Sequence, residues 1–175
     1  MVKQHDLDSM YMEMAYDVAK YSNAQRRKVG AILVTPEEGR FEGINGMPVG
    51  FDNDCEFVVH ESLVTKPEVL HAESNAIMKV ARSHASSIGA TMYCTLSPCL
   101  ECAKLIVQAG VVRVVYAEVY PVDANSTSAP GVAFLQEAGI QVDKLPVVCH
   151  DVVDDEVNFQ DEGLSYDSED SWRVQ

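Results

Sequence analysis

The sequence predicts an α/β fold in which helices cover both faces of a sheet whose later strands run parallel. Three observations predict it. After residue 70, short apolar runs rich in β-branched residues alternate with segments of helical period, the pattern of strand–helix–strand units. Before residue 45, two strand-like runs are separated by a three-residue turn, for which an antiparallel hairpin is the cheapest connection. The chain has 175 residues, 47% hydrophobic and 23% charged, which suits one domain around one core.

Each element has a local reason. From Leu7 to about Ser22 apolar residues recur at helical spacing (Leu7, Met10, Tyr11, Met14, Ala15, Val18), and Ser9 is the expected cap. Val29 to Thr35 reads as a buried strand ended by Pro36, and Glu37-Glu38-Gly39 turns it into a second strand, Arg40 to Ile44. From Asn45 to about Leu70 the periodicity fades, so 46–70 is expected to be a long functional loop or an insert. Helical spacing resumes from Ala72 to about Ser83. A strand follows at Thr91–Thr95, a helix at Cys99–Ala109 stopped by Gly110, a strand at Val111–Ala117, a helix at Gly131–Glu137 and a short strand at Ile140–Val142. The domain is expected to occupy 1–150. In 151–175 nine acids face one base, which accounts for −8 of the formal charge of −14, and this acidic tail is expected to be peripheral.

Charge and composition exclude several functions. With 13 basic against 27 acidic side chains and a pI near 4.6, a nucleic-acid polymer is disfavoured as partner, because such binding rests on Lys and Arg displacing counterions. A small anion needs only local positive charge, and Arg26-Arg27-Lys28 offers it. No apolar run approaches the roughly 18 residues of a membrane span, and the first helical stretch carries acids where a signal peptide would not. A cytoplasmic location is expected. The five cysteines, Cys55, Cys94, Cys99, Cys102 and Cys149, are an odd number, which points to reduced thiols and a metal before disulfides. Cys94 and Cys149 read as buried small hydrophobes.

Two short segments carry the chemistry. His71-Ala72-Glu73 opens one expected helix, and Pro98-Cys99-Leu100-Glu101-Cys102 opens the next. Zn²⁺ favours thiolate and imidazole donors in a tetrahedron, and a catalytic site keeps three protein ligands and one open position. His71, Cys99 and Cys102 supply three. Helix N-termini favour thiolate over thiol through their unpaired N–H groups and dipole. Glu73, two residues from a ligand, is the expected proton carrier. The bland alternative is a closed zinc knot with Cys94, Cys55 or His60 as fourth ligand. A lone C-x-x-C is also a redox signature, but that leaves His71 and Glu73 unexplained.

The paired H-x-E and P-C-x-x-C motifs are those of zinc-dependent deaminases. More specifically, Gly43-Ile-Asn-Gly-Met-Pro48, His71-Ala-Glu-Ser-Asn-Ala-Ile77, Gly89-Ala-Thr-Met-Tyr-Cys-Thr-Leu-Ser-Pro-Cys-Leu-Glu-Cys-Ala-Lys104 and Gln108-Ala-Gly110 resemble the deoxycytidylate (dCMP) deaminase family. The resemblance covers residues 9 to about 145 and is strongest to bacteriophage members. The Gly43 segment and the insert before His71 separate it from cytidine, guanine and tRNA adenosine deaminases. It implies a three-layer α/β/α fold of the cytidine-deaminase type with a five-stranded mixed sheet. It also implies hydrolysis of dCMP to dUMP and ammonia, supplying dUMP for dTMP synthesis, in a homohexamer activated by dCTP and inhibited by dTTP with Mg²⁺.

Residue roles follow from the same resemblance. Glu73 moves the protons, the Ala72 N–H holds the base carbonyl, the Ser97 carbonyl receives the amino group, and Asn45 holds the sugar and base edge. Read by itself, Asn45-Gly46 is equally a turn signal. Arg26 and Tyr120 match phosphate contacts, although Pro121 stands where some relatives have arginine. The glycine-rich stretch after Gly43 offers N–H groups to a regulatory phosphate, with Gly46, Asp54 and His60 as candidate residues. Cys55 and His60 are candidates for a second zinc, and Arg82 reads as a solvated charge. The rival functions are deamination of another cytosine nucleotide or of a base in nucleic acid, and a zinc module without catalysis.

Overall fold

A computed structural model describes residues 3–120 and 130–145. The acidic tail, Cys149 and Pro121 lie outside the described residues. The elements run α1 (Gln4–Ala19), β1 (Gly30–Val34), β2 (Arg40–Ile44), β3 (Glu56–Val59), β4 (Ser62–Thr65), α2 (Ala72–Ala81), β5 (Thr91–Leu96), α3 (Leu100–Gln108), β6 (Arg113–Glu118), α4 (Pro130–Glu137) and β7 (Gln141–Lys144). The main sheet has five strands in the order β2-β1-β5-β6-β7. β1 is antiparallel to β2 and β5, while β5, β6 and β7 are parallel. The mixed five-stranded sheet and the parallel half are as expected.

Strand period two divides the core between the faces. Ala31, Leu33, Met92, Cys94 and Val114 pack with Ala76 and Val80 of α2, Ile106 of α3 and Leu135 of α4. Their neighbours Ile32, Tyr93 and Val115 pack on Tyr11, Met12 and Ala15 of α1. Among the described residues, one helix thus covers one face and three cover the other. None of the described helices is long and apolar enough to cross a membrane.

One local expectation needs correction, and two readings left open are decided. Ser9 is not a cap. The helix starts at Gln4, and the Ser9 hydroxyl donates to the His5 carbonyl inside the first turns, because Gln4, His5 and Asp6 continue the helix upstream. The insert is not a plain loop either, since β3 and β4 form a separate antiparallel hairpin. Its turn residues, His60 and Glu61, both have positive φ (46° and 64°), the backbone of a two-residue primed turn. Finally, Asn45-Gly46 is no turn: Gly46 exchanges backbone hydrogen bonds with Leu70 at 3.1 and 2.9 Å, and this bridge closes the insert at its base.

A polar network crosses the α1 face. Asp8 is 6% exposed and accepts from both terminal nitrogens of Arg113 (2.7 and 2.8 Å), from the Tyr93 hydroxyl (2.8 Å) and from Gln4 (2.9 Å). Arg113 also donates through Nε to Asp143 at 2.7 Å. One buried fork therefore ties α1 to β5, β6 and β7.

Candidate active site

The site lies where β5 ends and where α2 and α3 begin. His71 and Cys99 are the residues immediately before the two helices, both in extended conformation, and neither helix has a side-chain cap. The two helix N-termini thus meet with their positive dipole ends at one place. Close backbone approach makes this possible. A Cβ at Gly43 would collide with the Ala72 carbonyl oxygen, and one at Gly131 with that of Pro98. Gly43 lets α2 sit directly on β2, and Gly131 lets α4 sit on the loop that carries Cys99.

Cys99 Sγ and Cys102 Sγ each lie 3.4 Å from His71 Nδ1. Among the described residues, these three form the one set of metal-ligating side chains, with donor atoms within 4.8 Å of one another. Zn²⁺ bonds of about 2.3 Å to sulfur and about 2.0 Å to nitrogen at tetrahedral angles separate those atoms by about 3.5 Å. The donor set fits zinc. Its protons are shared in the way expected of a ligand set: hydrogen bonding from Cys102 and His71 holds the Cys99 thiol far below its ordinary range, against burial. The Cys102 thiol is pushed up by its bond to Cys99 and by burial, and the bond to Cys99 raises His71. A soft cation that takes the place of those protons relieves the competition.

Glu73 is 4% exposed, and burial raises its carboxyl above the usual carboxylate range. A carboxyl of this kind exchanges protons nearer neutrality than a solvated one. Cys94 lies in the core and is raised by burial and by the nearby Glu73, so it reads as the inert hydrophobe expected. Cys55 is buried with Ala24 and Val69, whereas His60 is exposed at the hairpin turn. The described residues do not bring them into a ligand set.

A cavity of about 320 Å³ opens on the cradle and is lined by His71, Ala72, Glu73, Ser97, Cys99 and Asn45 together with Arg26, Arg27, Thr65 and Tyr120. That volume is at the small end for a ligand pocket. It unites every residue expected to touch substrate. Ser97 is fixed twice: its N–H donates to the Glu118 carbonyl at 2.8 Å, and its hydroxyl accepts from the Tyr120 N–H at 2.7 Å. Lys28 turns away and donates to the Lys20 carbonyl. Gly46, Asp54 and His60 do not line the cavity.

Asn45 is more occupied than the motif suggests. Its Oδ1 accepts from Ser22 Oγ at 2.7 Å and Val29 N–H at 2.9 Å, and its Nδ2 donates to the Arg27 carbonyl at 2.9 Å. One Nδ2 hydrogen remains for a ligand. The sequence reading missed Thr65, Ser22 and Glu56. A signal for Glu56 exists, an acid inside the run Cys55-Glu56-Phe57-Val58-Val59, where a charge must find a partner if the run is buried.

Comparison with known proteins places these features in a family. Residues 5–118 match the family model of the cytidine and deoxycytidylate deaminase zinc-binding region. The deoxycytidylate deaminase of Enterobacteria phage T4 is 33% identical, covering 79% of this chain and 89% of the phage protein. That of Homo sapiens is 36% identical and covers 83% of each. The crystal structure of dCMP deaminase from the cyanophage S-TIM5 in complex with dCMP and dUMP superposes with a TM-score of 0.72 at 38% identity, over 83% of this chain and all of that one (100%).

Proposed function

The chain belongs to the cytidine and deoxycytidylate deaminase family, and from that membership we propose that it hydrolyses dCMP to dUMP and ammonia. The observation that carries the reading is one cavity lined together by a buried acid, two of the three zinc donors and two arginines. The cradle suits deamination and the arginines suit a nucleotide's phosphate. Relatives named deoxycytidylate deaminase and a neighbour holding dCMP and dUMP support the same substrate.

His71, Cys99 and Cys102 would hold Zn²⁺, which would supply the Lewis acidity that makes water a nucleophile near neutral pH. The chain's own residues do the rest. Glu73 accepts a proton from the attacking water and gives it to N3 of cytosine. It then delivers the second proton to the amino group leaving C4, so that water and dCMP become dUMP and ammonia. The Ala72 N–H, in the uncapped first turn of α2, donates to the base carbonyl, and the Ser97 carbonyl accepts from the departing amine. Asn45 gives its remaining N–H to the sugar and base edge. Arg26, with Tyr120, holds the 5′-phosphate.

Regulation belongs to the same proposal. dCTP with Mg²⁺ activates and dTTP with Mg²⁺ inhibits, through a site that includes Gly46, Asp54 and His60 on the insert. The Gly46–Leu70 bridge, next in sequence to Asn45 and to His71, supports a direct coupling of that site to the substrate. The working assembly is a homohexamer in the cytoplasm, that of the host if the chain is viral, and its product feeds dTMP synthesis. Ammonia release measured across dCMP, dCTP, deoxycytidine and CMP tests the reading. dCMP should be the preferred substrate, with its half-saturating concentration lowered by dCTP and raised by dTTP. Equal rates on all four would refute the nucleotide assignment, and hyperbolic kinetics indifferent to both triphosphates would refute the regulation.

A further inference from the structure

We propose that the insert hairpin sets this cavity's preference for a 5′-phosphate, with Glu56 and Thr65 acting as positioning residues for Arg26. The inference rests on the reading of the cavity as a dCMP site. The two cavity arginines sit in the segment between α1 and β1, which has no regular structure of its own to hold them. Their charges are treated differently. Arg27 is paired with Glu118 at 3.5 Å, so part of its charge is already answered by a carboxylate. Arg26 forms no ion pair with an acid among the described residues. Its Nη1 donates instead to the Thr65 hydroxyl at 3.1 Å. A neutral acceptor orients a guanidinium without cancelling its charge, which is what an anion site requires.

The backbone of the same arginine is held by a second group. Glu56 is 7% exposed, and its two carboxylate oxygens accept from the successive N–H groups of Gln25 (3.1 Å) and Arg26 (3.3 Å). A buried carboxylate is costly unless hydrogen-bonded, so this group is tied to the arginine segment by the same bonds that make it tolerable there. Glu56 and Thr65 are also direct cross-strand partners in the hairpin. A single rung of β3–β4 therefore holds Arg26 at both ends, the carboxylate at its peptide and the hydroxyl at its guanidinium. Behind the rung, Cys55 packs with Ala24 and Val69, so the clamp is anchored in a small core of its own. The ordering of a long side chain is met in folding and not at the moment of binding, which favours ligands that bear the phosphate.

The test compares ligands that differ only in that phosphate. Calorimetry would give the dissociation constants of dUMP and deoxyuridine for the zinc-loaded protein and for Thr65→Val, Glu56→Gln and Arg26→Ala. Steady-state kinetics would give kcat and KM for dCMP and deoxycytidine. Thr65→Val, nearly isosteric, should weaken dUMP about three- to tenfold and raise the KM for dCMP alike, leaving kcat and deoxyuridine binding unchanged. Glu56→Gln should weaken dUMP by about tenfold or more, because an amide accepts one of the two N–H groups and presents its own hydrogens to the other. In the Arg26→Ala background, Thr65→Val should add nothing. Equal losses for dUMP and deoxyuridine would mean a merely structural role and overturn the proposal, as would full additivity of Thr65→Val with Arg26→Ala, or no loss in either insert variant. A wild-type protein that releases no ammonia from dCMP would sink the deaminase reading, while the binding ratio would still decide this one.

Discussion

Among the described residues, a cluster around Asp8 and a cluster around His71 both gather ionisable side chains between the layers, and they are built on opposite terms. Around Asp8 every demand is met: the carboxylate receives four hydrogen bonds, and Arg113 divides its donors between Asp8 and Asp143. Those bonds, from Arg113, Gln4 and Tyr93, outweigh burial and hold the Asp8 carboxyl below its usual range. Around His71 the demands compete. Two thiols and an imidazole share protons among themselves, and Glu73 beside them is held above its usual range by burial. A saturated cluster has nothing left to give a ligand and acts as a rivet. The unsaturated one has donor atoms and a proton to exchange, and it is the one that opens on a cavity.

Substitutions should separate the two kinds. The largest effect is expected at the unsaturated cluster. Glu73→Ala should lower kcat for dCMP by more than about 10²-fold, since it removes the only acid assigned to both proton transfers. Zinc content and thermal unfolding should stay near wild type. Cys102→Ala should lose stoichiometric zinc and with it activity. Elemental analysis of the two variants, read beside their ammonia release, checks the division of roles. An active Glu73→Ala protein, or a Cys102→Ala protein that keeps its zinc, would break the comparison.

The next effect concerns the rivet. Arg113→Met leaves Asp8 buried without its main partner, and removal of one member of a buried pair typically costs about 3 to 5 kcal/mol. A urea midpoint lowered accordingly, with near-normal kcat in the folded fraction, is the expected result. Unchanged stability would show that the network is no rivet, and a selective loss of kcat would tie it to the active site.

The two clusters also differ in how far the sequence discloses them. Each zinc donor sits within a residue or two of a helix start, so local spacing suffices to find it, and Glu73 follows from its distance to His71. Asp8 and Arg113 are 105 residues apart and neither belongs to a motif, so only tertiary pairing reveals them. The main sheet was legible because its strands alternate with helices of clear period. The insert hairpin was not: its turn is His60-Glu61 in place of an Asn-Gly signal, and Phe57, Val58, Val59, Leu63 and Val64 are all exposed, so no inside–outside alternation marks the strands. Ser9 misled because an isolated serine before an apolar run is a fair cap only where the residues ahead of it do not continue the helix.

The smallest expected effect is on the pH dependence of stability. Against burial, the bonds from Arg113, Gln4 and Tyr93 hold the folded-state pKa of Asp8 below its ordinary value of 3.8, so its carboxylate contributes stability that is fully present above that value. The contribution is lost as pH falls through the lower, folded-state value, where the group protonates in both states. The buried Glu73 has the opposite sign, since its raised pKa makes the folded state favour the protonated acid, an advantage present at low pH and lost as pH rises through that raised value. Asp8→Asn should therefore be less stable than wild type near neutrality, with the gap closing as pH is lowered below the Asp8 range. Denaturant midpoints of both proteins in the Glu73→Gln background, from neutral pH down to about pH 2, isolate the Asp8 contribution from that of Glu73. A gap that stays constant across that range would mean that the charge on Asp8 is not what holds α1 to the sheet, and the contrast between a saturated rivet and an unsaturated site would have to rest on packing alone.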